Sequence, residues 1–561
     1  MARHYNTEEV VDILMRSDSE DLPSSPAENA SDSGDDTEDS SFHSDQLESS
    51  SDLSSGDESE EEMHGEAPEW TSKNGKIWSP SSTATLCYVP AAIGHIAGPT
   101  HYAVARISDP LSNFRLFLTD EIMHHIVEMT NLHGRRTISD WRDLDNDELL
   151  AYVGLLILAG VYRSKHEATT SLWSEKTGRS IFRAAMSQKR FSHITSALRF
   201  DDKLSRPRRH TDKLAPFHEV WDMWTHRLMM LFSPDRDLTV DEQLVPFKAR
   251  CSFRQYIPKK PAKYGIKVWA TCDAKTSYAW RLHVYTGRAA GERAEVNQGM
   301  RVVLQMTEGL QGHVATCDNF FTSFALAEEL LKRQIALVGT IRQNEPEISP
   351  VLRQTKGRAI YSSTFAFTVR HTLVSYIPRW GWNVLLLSTK HRRPEVSDGE
   401  KRKPVIIDDY NQCKGGVDNL DKVVGTYSCR RRTNRWPMAV FHNMIDVSLY
   451  NAFVLWTSVD RSWLQQTPHR RWLYIEEVGE SMIKPHITKR EHLPRSSAAA
   501  ELVTAVQYGA AAGPSGLTHP KGRKRCELCC DYMRRVGNSC SKCGRFTCRA
   551  HSKFICSHCS T

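Results

Sequence analysis

Apolar positions recur every three to four residues across 118–232, a spacing that predicts a run of packed helices. Thr119 or Asp120 stands ahead of one such pattern and marks a helix start. Asp145–Tyr162 repeats the theme, with Asn146 or Asp147 as cap, and holds the longest apolar stretch, Leu149–Tyr162. A bilayer span needs about 20 residues, so this shorter run reads as a buried core helix. Trp173, Phe182, Met186, Phe191, Ile194 and Leu198 continue the packed pattern, as does His218–Phe232. At Asp237 the rhythm changes. Leu238–Asp241 reads as a strand, and Lys267–Asp273 and Ala279–Tyr285 are β-branched and aromatic runs that suit a hairpin. Arg301–Leu310 is amphipathic, His313–Asp318 a strand, Ser323–Lys332 a helix and Ile335–Gly339 a further strand. The expected product is a mixed sheet flanked by helices. Residues 345–404 carry more strand-like runs among prolines and charges and read as an insertion. Helical character resumes at Gly416 and over Met438–Thr457, and 486–524 reads as a linker rich in Pro, Ala, Gly and bases.

Length changes this picture by requiring several domains, because 561 residues exceed one compact core. Charge changes it further. Residues 1–66 hold 21 Asp/Glu and 2 Lys/Arg, whereas the remainder holds 46 acids and 71 bases. The net +6 therefore hides an acidic tail and a strongly basic body. A basic body favours a polyanion, since each neutralised phosphate releases counterions. The tail lacks the apolar surface to offset its ordering entropy, and disorder is expected there. No apolar segment follows the N-terminal Met-Ala-Arg-His-Tyr, so neither secretion nor a membrane is expected.

The first candidate chemistry is carboxylate. Asp241 and Asp318 each end a predicted strand, and Asp418 and Asp421 sit three apart on one face of a predicted helix. Acids brought together in this way repel unless cations sit between them. Two Mg²⁺ ions, with Mn²⁺ as a substitute, activate a water or 3′-hydroxyl and stabilise the leaving oxygen of a phosphodiester. Any one strand-end Asp is more often a turn or cap residue, as expected for Asp273. The joint placement is what singles out the other four.

Five segments occur in order: Leu238-Thr-Val-Asp241-Glu-Gln, the basic run Arg254–Lys267, Thr316-Cys-Asp318-Asn-Phe-Phe-Thr-Ser323, Lys414-Gly-Gly-Val-Asp418 and Thr433-Asn-Arg-Trp-Pro437. Together they resemble the piggyBac transposase family from about residue 112 onward. The resemblance implies a multidomain α+β protein with an RNase H-like catalytic core. A β-rich insertion interrupts that core, and a split helical DNA-binding and dimerisation domain surrounds it. The expected order starts with an acidic tail, 1–70. The helical domain comprises 112–236 and 428–485, and the catalytic domain 237–344 and 405–427, with the insertion at 345–404. A basic linker, 486–524, leads to a cysteine-rich module, 525–561. The resemblance assigns Asp241, Asp318 and Asp418 as catalytic aspartates and Asp421 as the supporting acid. It implies cut-and-paste transposition through hairpinned ends, insertion at TTAA and a homodimer. The expected partner is double-stranded DNA, both terminal inverted repeats and TTAA target. A transposase-derived DNA-binding regulator is the alternative.

Basic and aromatic residues then supply candidate DNA contacts: Arg254, Tyr256, Lys259, Lys260, Lys263 and Lys267 beside Asp241, and Arg432, Arg435 and Trp436 after Asp421. Cations track phosphates while rings stack on exposed bases, worth about 1–3 kcal/mol per base. A core Trp is a near-equal reading of Trp436. Arg342 matches a basic family position, whereas Glu345 stands where relatives often carry another base, which weakens the expected grip on target DNA. At the C-terminus, Cys526, Cys529, Cys540, Cys543, Cys548, His551, Cys556 and Cys559 form four ligand pairs, enough for two tetrahedral Zn²⁺ sites. The resemblance implies interleaving, with Cys526, Cys529, Cys548 and His551 on one ion and Cys540, Cys543, Cys556 and Cys559 on the other. Cys530 and His558 are spare. The position of the histidine differs from a RING pattern, which counts against a ubiquitin ligase. The basic run His519–Arg525 suits nuclear import, a phosphate contact or both, and a nuclear location is expected.

An acidic tail beside a basic body competes with DNA. Deleting residues 1–66 is expected to raise DNA affinity and steepen its salt dependence, read by anisotropy across a salt series. Unchanged affinity and slope would remove the tail from this role.

Overall fold

Ten residues from Asp237 to Pro246 form strand β1, which organises the rest of the chain. The computed structural model describes residues 69–508, apart from 83–87, 89, 91–95, 210, 259 and 288–294, together with the backbone of 524–525 and 535–536. The acidic tail and the eight cysteine-module ligands lie outside the described residues.

Eight strands join β1 in a nine-stranded sheet. In chain order they are β2 (Arg254–Tyr256), β3 (Tyr264–Asp273), β4 (Ala279–Val284), β5 (Val314–Cys317), β6 (Ala336–Thr340), β7 (Ser363–Phe367), β8 (Thr372–Arg379) and β9 (Trp382–Ser388). Their order across the sheet is β7-β8-β9-β6-β5-β1-β3-β2, with β4 also on β3. β1 runs antiparallel to β3 and parallel to β5, and β5 runs parallel to β6. The remaining pairs are antiparallel.

Two expectations change here. The strand containing Asp241 does not end at that residue. Pairing with β3 carries β1 on to Pro246, with Asp241 opposite Ala270. What ends there is the parallel partner: β5 stops at Cys317, opposite Val240. Asp241 thus sits at the lip of β5, and Asp318 follows directly. The second change concerns 345–404. Its strands extend the main sheet, because β9 pairs with β6 from Val338↔Ser388 to Thr340↔Leu386. Unpaired backbone groups on the outer edge of β6 supply the physical reason.

Helices cover the sheet and form a layer beside it. The first are α1 (Asp120–Thr137), α2 (Asn146–Val161), α3 (Gln188–Ala197) and α4 (His218–Leu231). Thr119 caps α1, and Asp145 rather than Asn146 caps α2 by accepting from the Glu148 amide. Helices α5 (Gln298–Met306) and α6 (Phe324–Lys332) belong to the sheet layer. They are followed by α7 (Val405–Cys413), α8 (Gly416–Thr426), α9 (Trp436–Val459), α10 (Arg470–Thr488) and α11 (Ser497–Tyr508). Helix α9 is long and apolar enough to cross a membrane, yet 89% of its most apolar window is buried within the protein. Helix α2 is buried along its length against α10, where Gly154 and Gly479 let the backbones close in.

The expected linker 486–524 is also revised. Its alanine-rich stretch favours helix, and Ala499 and Val503 of α11 are buried as it packs on the short helix Ser180–Ala185.

One glycine sets the distance between α8 and the sheet. A Cβ on Gly416 would lie 2.4 Å from Thr239 Oγ1 of β1. Thr239 Oγ1 is already committed, donating to the Cys413 carbonyl at 2.5 Å. Gly416→Ala is therefore expected to push α8 off β1 and cost about 1–3 kcal/mol of stability, measured by chemical denaturation. An unchanged midpoint would show that α8 has slack against the sheet.

Candidate active site

Three elements bring the acids to one edge of the sheet. Asp241 comes from β1 beyond its pairing with β5, and Asp318 from the turn leaving β5. Phe320 N donates to Asp318 Oδ1 at 2.9 Å, and Thr322 Oγ1 donates to the Asp318 carbonyl at 2.8 Å, which shapes that turn. Helix α8 lies across β1 and brings Asp418 and Asp421 with it. Val417 and Leu420 are buried, leaving Asp418 exposed and Asp421 half-buried.

Lys260 links these groups. Its Nζ donates to Asp418 Oδ1 at 3.0 Å and lies 3.8 Å from Asp421 Oδ2. Burial works against its charge, but the bond to Asp418 and the fields of Asp421, Asp418 and Asp241 hold its pKa above the ordinary value. Burial raises the Asp241 carboxyl well above the usual range, with Glu242 and Asp318 adding to the rise. Burial also pushes Asp421 up to about 6, against the pull of Lys260. Mutual influence of Asp241 with Asp318, and of Lys260 with Asp241, Asp418 and Asp421, marks one electrostatic cluster.

Glu242 was not anticipated. It lies 3.8 Å from Lys267, whose ammonium sits 4.0 Å from the centre of the Trp269 ring. Burial lowers the Lys267 pKa. Gln243 and Asn443 were also missed. Asn443 Nδ2 donates to Gln243 Oε1 at 3.0 Å and ties α9 to β1 beneath the acids. The Gln243 amide influences Asp421 but its Nε2 makes no hydrogen bond of ordinary length. A side chain 200 positions away leaves no local signal in the sequence.

The expected DNA contacts divide. Tyr256 is 55% exposed and stacks at an angle on Tyr264, while Lys263 and Arg254 are exposed beside them. Arg342 and Arg432 are also exposed. Lys259 lies outside the described residues. Lys260 and Lys267 are instead engaged with acids: the turn after β2 carries Lys260 to Asp418 of α8, and pairing of β3 with β1 sets Lys267 beside Glu242. Arg435 is a correction: its guanidinium bonds the Thr195, Ser196 and Leu198 carbonyls and closes the C-terminus of α3, whose last carbonyls lack helical partners. Trp436 takes its core reading in part, half-buried and packed edge to face on Phe253 with ring centres 5.0 Å apart. A cleft of about 520 Å³ is lined by Lys165, His166, Lys248, Arg430, Arg431 and Arg432 among others and shares walls with a smaller one that holds Asp421. Its neighbour, about 240 Å³, includes Lys260 and Asp421.

The donor set of hard carboxylate oxygens, with Asp241 half-buried among them, suits a divalent cation of the Mg²⁺ kind. Among the described residues, no three His, Cys, Asp or Glu side chains come close enough together to hold a metal as they stand. Lys260 occupies the space on the α8 side.

Residues 109–453 match the transposase family described as Transposase IS4. Human PiggyBac transposable element-derived protein 3 is 25% identical over 433 residues, covering 72% of this chain and 71% of the relative. Human PiggyBac transposable element-derived protein 2 is 20% identical over 366 residues, covering 62% and 61%. The fold is similar to a cryo-EM structure of the piggyBac transposase synaptic complex with hairpin DNA, at TM-score 0.70 and 33% identity over 83% of this chain and 100% of that one. The chain belongs to the piggyBac-type transposase family.

The cluster has a pH signature. An acid whose folded pKa is raised weakens the fold as pH climbs from its unfolded value through its folded value. Asp421, at about 6, is neutral at pH 5 and charged at pH 8. Lys260→Met in EDTA is therefore expected to lower the melting temperature more at pH 8 than at pH 5. Equal shifts at both pH values would remove Lys260 from the cluster.

Proposed function

We propose that this chain is a cut-and-paste DNA transposase that cleaves transposon ends and joins them to target DNA. The observation that carries the reading is the convergence of Asp241, Asp318, Asp418 and Asp421 on one sheet edge beside a basic cleft. Asp241 and Asp318 from the sheet, with Asp418 and Asp421 from α8, would hold Mg²⁺. When bound, the ions supply Lewis acidity to the phosphodiester and a nucleophile at neutral pH.

The chain's own residues do the rest. The acids are held at one edge by β1, β5 and α8. Arg430, Arg431 and Arg432 line the route along which a phosphate backbone reaches them. Asp241 is half-buried, so its charge is only partly screened by solvent and is balanced in part by neighbouring groups. Lys260 holds the α8 carboxylates in the absence of other cations. Tyr256 and Tyr264 offer faces on which unpaired bases stack.

Hairpinned ends, TTAA as target and a homodimer follow from the family resemblance, a nuclear location follows from the basic run His519–Arg525, and all are part of the proposal. So are two Zn²⁺ ions in the module 525–561. Seven thiolates and an imidazole in four pairs suit zinc chemistry.

A second reading, a DNA-bound regulator without cleavage, is favoured by one observation: Lys260 rather than close acid packing satisfies Asp418 and Asp421.

An excision assay with matched terminal repeats separates the two. Asp318→Asn is expected to reduce excision by about 10³-fold or more, since the lost ligand removes several kcal/mol of transition-state stabilisation, and EDTA is expected to abolish cleavage. Equal excision by wild type and variant would end the catalytic assignment. DNA binding without excision by wild type would favour the regulator.

A further inference from the structure

The hairpin joining β8 to β9 ends in an unusual tip. Trp380 is 84% exposed and Trp382 58%, the most exposed tryptophans among the described residues. Arg379 pairs with Trp382 across the turn, and its guanidinium lies 3.6 Å from the centre of that ring. Between them, Trp380 and Gly381 form a two-residue turn with Gly381 at φ +72°, the left-handed region a side chain disfavours. A register shift between Tyr376 and Arg379 re-aims the end of β8. Burying neither indole costs apolar exposure that a surface rarely carries without use.

Hydrogen bonds anchor the strand directly behind the tip. Asn383 directly behind it donates to the Leu352 carbonyl at 2.7 Å, accepts from Ser375 Oγ at 2.8 Å, and its carbonyl accepts from Gln343 at 3.1 Å. A platform fixed in advance loses little freedom on binding.

Register places it on the same edge as the acids. Cys317 of β5 lies opposite Gly339 of β6, so Asp318 is level with Thr340, and Thr340 pairs with Leu386 of β9. Trp382 is four residues beyond Leu386, about 13 Å further along and about 10 Å to the side, from ordinary strand rise and spacing. Arg342 is exposed at the base of the tip. Neither Arg342 nor Arg379 forms an ion pair with a carboxylate among the described residues, although Glu345 and Glu347 lie on the neighbouring loop.

We propose that Arg379, Trp380 and Trp382 form a stacking platform for unpaired bases of DNA held at the catalytic edge. The position relative to Asp318 and the two uncommitted guanidinium groups favour a polyanion with aromatic faces over an apolar protein partner. This inference rests on the reading of the acidic edge as a DNA-cleaving site.

The test uses the full-length protein in EDTA with two labelled duplexes, one fully paired and one with four unpaired central base pairs, read by anisotropy. Wild type is expected to prefer the unpaired duplex by about tenfold, the worth of one stacked base. The double variant Trp380→Ala, Trp382→Ala is expected to lose that preference while holding its melting temperature and its affinity for paired DNA. The double variant Trp380→Phe, Trp382→Phe is expected to retain most of it. A preference that survives the alanine pair, or is absent from wild type, overturns the platform alone. Failure of wild type to bind either duplex overturns the DNA reading along with it.

Discussion

Like charges do not gather at a half-buried edge unless something compensates them, and this constraint organises the protein. Asp241, Asp318, Asp418 and Asp421 come from a strand, a turn and a helix that have no reason to meet except through the sheet and α8. Burial and mutual repulsion drive Asp241 and Asp421 toward their neutral forms, and Lys260 pulls against that drift. The cluster is therefore costly to fold and depends on Lys260 for compensation.

The rest of the architecture serves that edge. Gly416 lets α8 lie close on Thr239, which brings the helical acids to the edge where Lys260 meets them. Asn443 and Gln243 pin α9 to β1 just below. Arg435 closes α3 and Arg431 bonds the Ser164 and Glu167 carbonyls, so the arginine-rich loop doubles as a joint between the helical layer and the sheet. Its remaining exposed member, Arg432, opens on the cleft. Basic residues here divide their work: some neutralise carbonyls and carboxylates inside the protein, and others stay available for phosphate.

The β7–β9 strands illustrate how an added segment gains function from where it docks. Pairing on β6 continues the sheet and projects the Arg379–Trp382 tip from the edge that carries Asp318. Had these strands folded as a separate body, nothing would relate the tip to the acids. Membership in the piggyBac-type family accounts for the shared sheet and helices, while the exposed indoles are read from this chain alone.

Local chemistry made much of this legible in the sequence. Helix caps, apolar periodicity and β-branched runs placed nearly every element, because each depends on neighbours within a few residues. Ordered motifs around Asp241, Asp318 and Asp418 pointed to the acids for the same reason. What the tertiary structure decided was which charges meet: that Lys260 and Lys267 turn inward, that Arg435 caps a helix 240 residues away, that Glu242, Gln243 and Asn443 support the site, and that 345–404 lengthens the main sheet. A basic side chain looks the same in sequence whether it awaits phosphate or answers a buried carboxylate. Only the distance to its partner, set by long-range packing, separates the two.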